Sequence, residues 1–291
     1  MLRLVLPKGS LEKATLDVFD ASDLHVRRSS DVEYKATIDD PRVMDVQILR
    51  PQEIPTYVAE GLYDLGICGR DCIEEANVDV VSLGELQYSK RTGDPFRIVL
   101  AVAQDSPWKR VEDLPDGVRV STEFVGMTTR FLEARGVKAK VRFSYGATEA
   151  KIPDVADVVV DGTETGRALR AANLRILDTL VESYTELIAN PVAYEDPTKR
   201  HAMTQINTLL QGVLEARGKV LVKLNVGKAD LDKVIALVPS MKSPTVSELF
   251  GSDGYAVETV VAKSEINTLI PALKDAGASD IIELPLSKIV H

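Results

Sequence analysis

The sequence predicts an α/β protein made of two wound, mostly parallel lobes and a smaller C-terminal module. Three observations predict it. Short β-branched runs alternate with helical patterns through residues 3–172. A polar, turn-rich stretch at 87–95 breaks this alternation and marks a crossing between lobes, with a return to the first lobe expected near 180–189. Beyond residue 218 the order becomes strand, helix, strand, strand, helix, strand, the βαββαβ pattern of a ferredoxin-like module.

The elements follow in order. Residues 3–6 read as a strand, then "PKGS" turns the chain into a helix over 11–19 with Ser10 as N-cap. Residues 46–49 are a strand, Pro55 sits in the first turn of a helix, and Gly61 ends it. Residues 65–68 form the next strand, and Asp71 is placed to cap the helix after it. Residues 96–104 are a strong buried strand; "GVRVSTEFVGMTTRFLEARGV" reads as strand, loop, helix and a stop at Gly136. Two further βα units follow, the second running from the strand 158–160 through "DGTETG" to a helix from Arg167. Asp196 and Pro197 open a long helix that Gly218 closes. The expected domains are lobe I (1–92 and 181–215), lobe II (93–180) and the ferredoxin-like module (216–291).

Composition narrows the function classes. The 291 residues carry 35 Lys+Arg against 44 Asp+Glu, a net charge of −9, which argues against nucleic acid or an anionic membrane surface as the main partner. No apolar run reaches the roughly 18 residues that span a bilayer. The N-terminal apolar stretch is interrupted by Arg3, so it reads as a strand rather than a signal peptide, and a cytoplasmic location is expected. Cys68 and Cys72 lie too close for a structural disulfide, and His25, His201 and His291 show no ligand spacing. No base–nucleophile pairing is visible for covalent catalysis.

Chemistry is expected at the carboxyl ends of the strands, where wound sheets bind ligands. Lys8, Arg50 and Arg70 follow strands, Arg97 begins one, and Arg130 lies on the helix after "STEFVGMT". With the donor-rich loop 161–166, which also opens a helix, they outline a site for a polyphosphate. Asp64, Asp71, Glu149, Asp157 and Asp161 are assigned to the same end, where carboxylates hold Mg²⁺ or ribose hydroxyls.

The ordered segments "LPKGSL", "RPQEIPTYVAEGLYDLGICGRD", "STEFVGMTTRFLEARG", "GATEA", "ADVVVDGTETGRALRAANL" and "VPSMKSPTVSELF" resemble the ATP phosphoribosyltransferases of histidine biosynthesis, in their long form with a C-terminal regulatory domain. The resemblance spans essentially the whole chain. It implies a two-lobed core like that of periplasmic binding proteins, and transfer of a phosphoribosyl group from phosphoribosyl pyrophosphate to N1 of ATP with Mg²⁺. It also implies feedback inhibition by histidine and a homo-oligomer, dimer to hexamer. Residue by residue, it puts the phosphoribosyl pyrophosphate loop on Asp161, Gly162, Thr163, Glu164, Thr165, Gly166, Arg167 and Ala168. Lys8, Gly9, Arg50, Gly69, Asp71 and Arg97 would bind substrate, with Lys8 and Arg50 neutralising the leaving group. Glu149 and Asp161 would face the ribose or the metal. Asn225, Met241, Ser243 and Thr245 would be nearest to histidine. The loop departs from the family's usual Ser-Thr-Gly: Glu164 brings a negative charge that Arg167 offsets, and Thr163 is the hydroxyl available to replace the one lost.

Two other readings fit parts of the pattern. A solute-binding or effector-sensing protein shares the two-lobed, doubly crossed architecture. A purine-salvage phosphoribosyltransferase has a loop similar to "VVVDGTETG" but no place for the first ninety residues.

Overall fold

The apolar N-terminal stretch, interrupted only by Arg3, forms β1 (Leu2–Pro7), in which Leu2, Leu4, Val5 and Leu6 are at most 1% exposed. A strand covered on both faces is what such a run requires. The computed structural model describes residues 1–30, 32–88, 95–238 and 243–291. Gly9 turns the chain at φ +90°, and Glu12 N–H already donates to Gly9 O at 3.1 Å. This leaves Ser10 inside the turn, so Leu11, not Ser10, is the N-cap of α1 (Glu12–Ala21). Glu12 reaches back instead and accepts the Gly9 N–H.

The chain continues through β2 (Val26–Arg27), β3 (Lys35–Ile38), β4 (Val43–Leu49), α2 (Ile54–Ala59), β5 (Leu65–Gly69), α3 (Arg70–Ala76) and β6 (Val81–Glu85). It then builds a second sheet from β7 (Phe96–Ala103), β8 (Arg119–Thr122), α4 (Val125–Glu133), β9 (Lys140–Phe143), β10 (Val158–Thr163), α5 (Arg167–Ala171) and β11 (Leu174–Ser183). A 3₁₀ turn, Thr148–Lys151, takes the place of a helix between β9 and β10. After Tyr184 the chain re-enters the first sheet as β12 (Thr185–Ala189), followed by α6 (Pro191–Glu195) and α7 (Pro197–Ala216). Residues 181–183 still pair with β7 in the second sheet.

Among the described residues the first sheet runs β2-β3-β4-β1-β5-β12-β6 and the second β11-β7-β10-β8-β9. Both are mixed, which corrects the expectation of mostly parallel sheets. β1 pairs in parallel with β4 and β5, and β8 with β10 and β9; the remaining pairings are antiparallel. The cause is local. The turn at 39–42 folds β3 back on β4 as a hairpin, and the strands that carry the chain between sheets enter antiparallel to their neighbours.

Period-two alternation fills both faces of the second sheet. Ile98, Leu100, Val102, Val158 and Val160 pack in one cluster with Met127 and Leu132 of α4; Val99, Ala101 and Val159 pack in another with Leu169 of α5. Each such aliphatic side chain, fully buried, is worth about 1.5–3 kcal/mol of transfer free energy. This rigid pair of central strands, β7 and β10, carries the loop at 161–168.

The chain divides into two compact units, Met1–Asn207 and Thr208–His291. The second contains β13 (Lys219–Gly227), α8 (Leu231–Leu237), β14 (Thr245–Glu248), β15 (Gly254–Ala262), α9 (Ile266–Asp275) and β16 (Ala278–Pro285), in the sheet order β14-β15-β13-β16. All its pairings are antiparallel, as a ferredoxin-like module requires. No helix among the described residues is long and apolar enough to cross a membrane.

Candidate active site

The first half of the site forms because β1 and β4 are parallel neighbours that end together. Pro7 pairs with Leu49, and Lys8 N–H donates to Leu49 O at 2.7 Å. Lys8 and Arg50 therefore leave the sheet side by side. Arg50 is exposed, and its Nη1 lies 3.9 Å from the position a Cβ on Gly9 would take. The Lys8 ammonium sits over the Tyr34 ring, 4.1 Å from its centroid. Tyr34 directly precedes β3, and its carbonyl accepts Ile48 N–H at 2.8 Å, which anchors the ring at this end of the sheet. A cation held against a ring face is guided yet partly desolvated. Nothing in the sequence marked Tyr34, since the pairing joins residues brought together only by the β3–β4 hairpin.

Asp71 lies in the first turn of α3, after β5, but does not cap it. The N-cap is Gly69 and its hydrogen bonds go elsewhere: the Ser183 hydroxyl donates to Asp71 Oδ1 at 2.5 Å. Gly69 has ordinary extended φ, and it is glycine for space, because an added Cβ would stand 2.2 Å from Asp71 Oδ1.

The second half is the strand–turn–helix at 158–168. Asp161, Gly162 and Thr163 belong to β10 itself rather than to a loop, opposite Val99, Ile98 and Arg97 of β7. The ring of Phe96 covers Gly162 so closely that a Cβ there would stand 2.3 Å from it. Thr163 is buried and its Oγ accepts Gly166 N–H at 2.8 Å, which shapes the turn from within. Gly166, at φ +70°, is the N-cap of α5, a backbone position that favours glycine. Thr165, Arg167 and Ala168 are exposed and Glu164 is half-buried.

The two halves meet in their carboxylates. Burial first, then the nearby charges of Asp161 and Asp71, push the Glu123 carboxyl above its ordinary value. Burial and Glu149 likewise raise Asp161, against the opposing hydrogen bond from Gly162 N–H. Glu123 follows β8 at its carboxyl end, so the rule that singled out Asp161 also applies to it; the sequence reading passed it over. Among the described residues no three His, Cys, Asp or Glu side chains form a ready metal cage. Asp161 and Glu149 are two hard oxygen donors that repel one another, which suits a cation completed by water and substrate phosphates.

Four groups assigned to this end do other work. Asp64 precedes β5 and Asp157 precedes β10, so both stand at the opposite, amino ends of their strands. Asp64 binds Arg3 N–H and the Lys199 ammonium, each at 2.8 Å; Asp157 accepts Arg119 N–H at 2.9 Å and its guanidinium at 2.6 Å. Arg70 pairs with Glu74 at 2.6 Å and with the buried Glu186 at 3.3 Å. Arg130 donates to Glu74 O. Cys68 and Cys72 are buried free thiols whose ionisation burial pushes well up, so neither is a poised nucleophile.

In the C-terminal unit, Val222, Leu224 and Val226 point into the core, leaving Lys223 and Asn225 on the other face of the sheet. Asn225 lies within β13 rather than at its end, pairs with Ala256, and donates to Asp280 Oδ2 at 3.0 Å. Thr245 pairs with Glu258, two strands from Lys223, and Ser243 is exposed just before β14. Met241 lies outside the described residues.

Known proteins resemble this chain along nearly all of its length. The family described as HisG, ATP phosphoribosyltransferase, matches residues 50–212, and the HisG C-terminal domain matches 216–288. An ATP phosphoribosyltransferase of Pelotomaculum thermopropionicum is 47% identical, and one of Desulforudis audaxviator 48%, each over 99% of both chains. A solved structure, the ATP phosphoribosyl transferase (HisG:HisZ) complex from Thermotoga maritima, is similar over 74% of this chain and 99% of that one, with 29% identity and a TM-score of 0.63. With half of its length matched by the family and relatives this close along nearly all of it, the chain belongs to the ATP phosphoribosyltransferase family.

Proposed function

We propose that this protein transfers the phosphoribosyl group of phosphoribosyl pyrophosphate to N1 of ATP, releasing pyrophosphate, as the first step of histidine biosynthesis in the cytoplasm. The reading is supported by the release of Lys8 and Arg50 side by side from β1 and β4, together with the family match along the chain. Cationic groups suited to phosphates stand on one side and a helix-opening turn on the other.

In the reaction the bond from the anomeric carbon to the pyrophosphate oxygen breaks as the bond to adenine N1 forms. The N1 lone pair is already available, so no strong base is needed, and the proton lost from the adenine amino group passes to solvent. Catalysis is then positioning and charge neutralisation. Lys8 and Arg50, released together from β1 and β4, take the phosphates. The backbone donors of the turn and Arg167 hold the 5-phosphate, and Asp161 accepts from the ribose hydroxyls. Arg97, in register with Thr163, adds charge beside the loop. Glu149 and Asp161 would hold Mg²⁺, which when bound screens the pyrophosphate charge. The two lobes, built on the first and second sheets, close over the substrates and keep water out.

The regulatory assignment is part of the same proposal. Residues 216–291 bind histidine through Asn225, Met241, Ser243 and Thr245, and the protein works as a homo-oligomer, dimer to hexamer. The match of the C-terminal family domain to 216–288 supports it.

Incubation with ATP, labelled phosphoribosyl pyrophosphate and Mg²⁺ tests the reading. Stoichiometric pyrophosphate and an N1-ribosylated ATP are expected. Binding of both substrates with no pyrophosphate would favour a solute-binding protein instead.

A further inference from the structure

The bond between Asp71 and Ser183 joins residues 112 positions apart and is reciprocal. The Ser183 hydroxyl donates to Oδ1 at 2.5 Å and its oxygen accepts the Asp71 N–H at 3.1 Å. Ser183 is only 6% exposed and is the last residue of β11, in the second sheet. Asp71 begins α3, in the first. The next residue of the crossing strengthens the same joint, since Arg70 N–H donates to Tyr184 O at 2.9 Å. Gly69 completes it by leaving room: a Cβ there would meet Asp71 Oδ1 at 2.2 Å and Ser183 Oγ at 3.4 Å.

We propose that Ser183 is a positioning residue for Asp71, and that Gly69 and Ser183 together set the direction in which this carboxylate meets the substrate. The proposal rests on the reading of Asp71 as a substrate-binding group. An aspartate carboxylate on the first turn of a short helix has several rotamers open to it, and nearby Glu123 repels it. The Ser183 hydroxyl removes that freedom. It engages Oδ1 and leaves Oδ2, which among the described residues has the weakly donating Cys72 Sγ at 3.7 Å, to accept from a substrate hydroxyl or amino group. Because Ser183 sits where the chain passes between sheets, the aim of Asp71 is coupled to the strand about which the two sheets are joined. Ser183 itself touches no substrate in this scheme.

The test uses the full chain with ATP, phosphoribosyl pyrophosphate and Mg²⁺. Ser183→Ala is expected to lower kcat/KM about tenfold, the scale of one hydrogen bond to a charged group, and Ser183→Thr to recover most of it. Gly69→Ala is expected to cause a comparable loss with Ser183 intact. In an Asp71→Ala background, which removes the acceptor, Ser183→Ala should cost nothing further, because its effect runs through Asp71. Wild-type kinetics in Ser183→Ala, or the same loss in both backgrounds, would overturn the proposal. Should Ser183→Ala not fold, Ser183→Cys keeps the volume, weakens the donor and is expected to show the same loss. If the unaltered protein released no pyrophosphate, the functional reading would fall by itself. A crystal structure of the Ser183 variant would still decide the positioning role, and an unmoved Asp71 carboxylate would sink it.

Discussion

The carboxylate of Glu75 closes the N-terminus of α4: Gly126 N–H donates to its Oε1 and Met127 N–H to its Oε2, each at 2.8 Å. A side chain on α3, packed on the first sheet, thus caps a helix packed on the second. Gly126 allows the approach, since a Cβ there would stand 3.1 Å from Glu75 O. With Arg130 bonded to Glu74 O, α3 is bound to α4 near its C-terminal end and to the crossing strand at its start.

Removing this cap should loosen the joint. Glu75→Ala leaves two N–H groups unsatisfied and is expected to destabilise the protein by about 1–2 kcal/mol. Denaturant unfolding measures it. A midpoint equal to that of the unaltered protein would show that water replaces the carboxylate at no cost.

Gly162 lies under the Phe96 ring, so Gly162→Ala must displace either the ring or the strand. The expected result is about a tenfold rise in KM for phosphoribosyl pyrophosphate. Phe96→Ala in the same chain should recover part of it by making room. Failure of the second change to help would mean that the glycine serves the ligand rather than the ring.

Lys8→Met keeps the aliphatic stem against Tyr34 and removes the charge. At least about a tenfold loss in kcat/KM is expected, equivalent to about 1.4 kcal/mol. Unchanged kinetics would return Lys8 to the ordinary solvated surface.

Asp64 supplies a pH-dependent part of stability. Burial alone would raise its carboxyl, but the Lys199 ammonium and Arg3 outweigh this and hold it below the ordinary 3.8. Folding therefore favours the ionised form. Its contribution is complete above pH 3.8 and is lost as pH falls through the lower folded value. Asp64→Asn is expected to cost roughly 1–3 kcal/mol at neutral pH, with the gap to the unaltered protein narrowing in acid. Unfolding curves at several pH values check the sign, and a gap that widened in acid would contradict it.

Histidine titrated calorimetrically into the full chain is expected to bind. Asn225→Ala and Thr245→Val should each weaken binding, and saturating substrates should weaken it reciprocally by roughly 5–150-fold, the usual range for allosteric pairs. No heat of binding to the intact protein would remove the regulatory assignment.

The α/β alternation, the two crossings, the βαββαβ module and the place of Lys8 and Arg50 after strands were legible along the chain. Each depends on short-range causes: strand and helix periodicity, glycine and proline at turns, and the fact that parallel strands release their loops at one end. Several local expectations failed because tertiary partners won. Ser10 lost its capping role to a glycine turn, and Asp71 gave its hydrogen bond to Ser183. Asp64 and Asp157 read as site carboxylates until strand direction put them at the far end, where Arg3, Lys199 and Arg119 neutralise them. Sequence order alone determined which groups the chain carries and where each element begins. Only the folded sheets decided which of those groups meet. Tyr34 under Lys8, Ser183 on Asp71 and Glu75 on α4 are contacts between residues far apart in sequence, and no periodicity or local spacing encodes which distant hydroxyl, ring or carboxylate will fill a hydrogen-bonding or charged vacancy once strands pair.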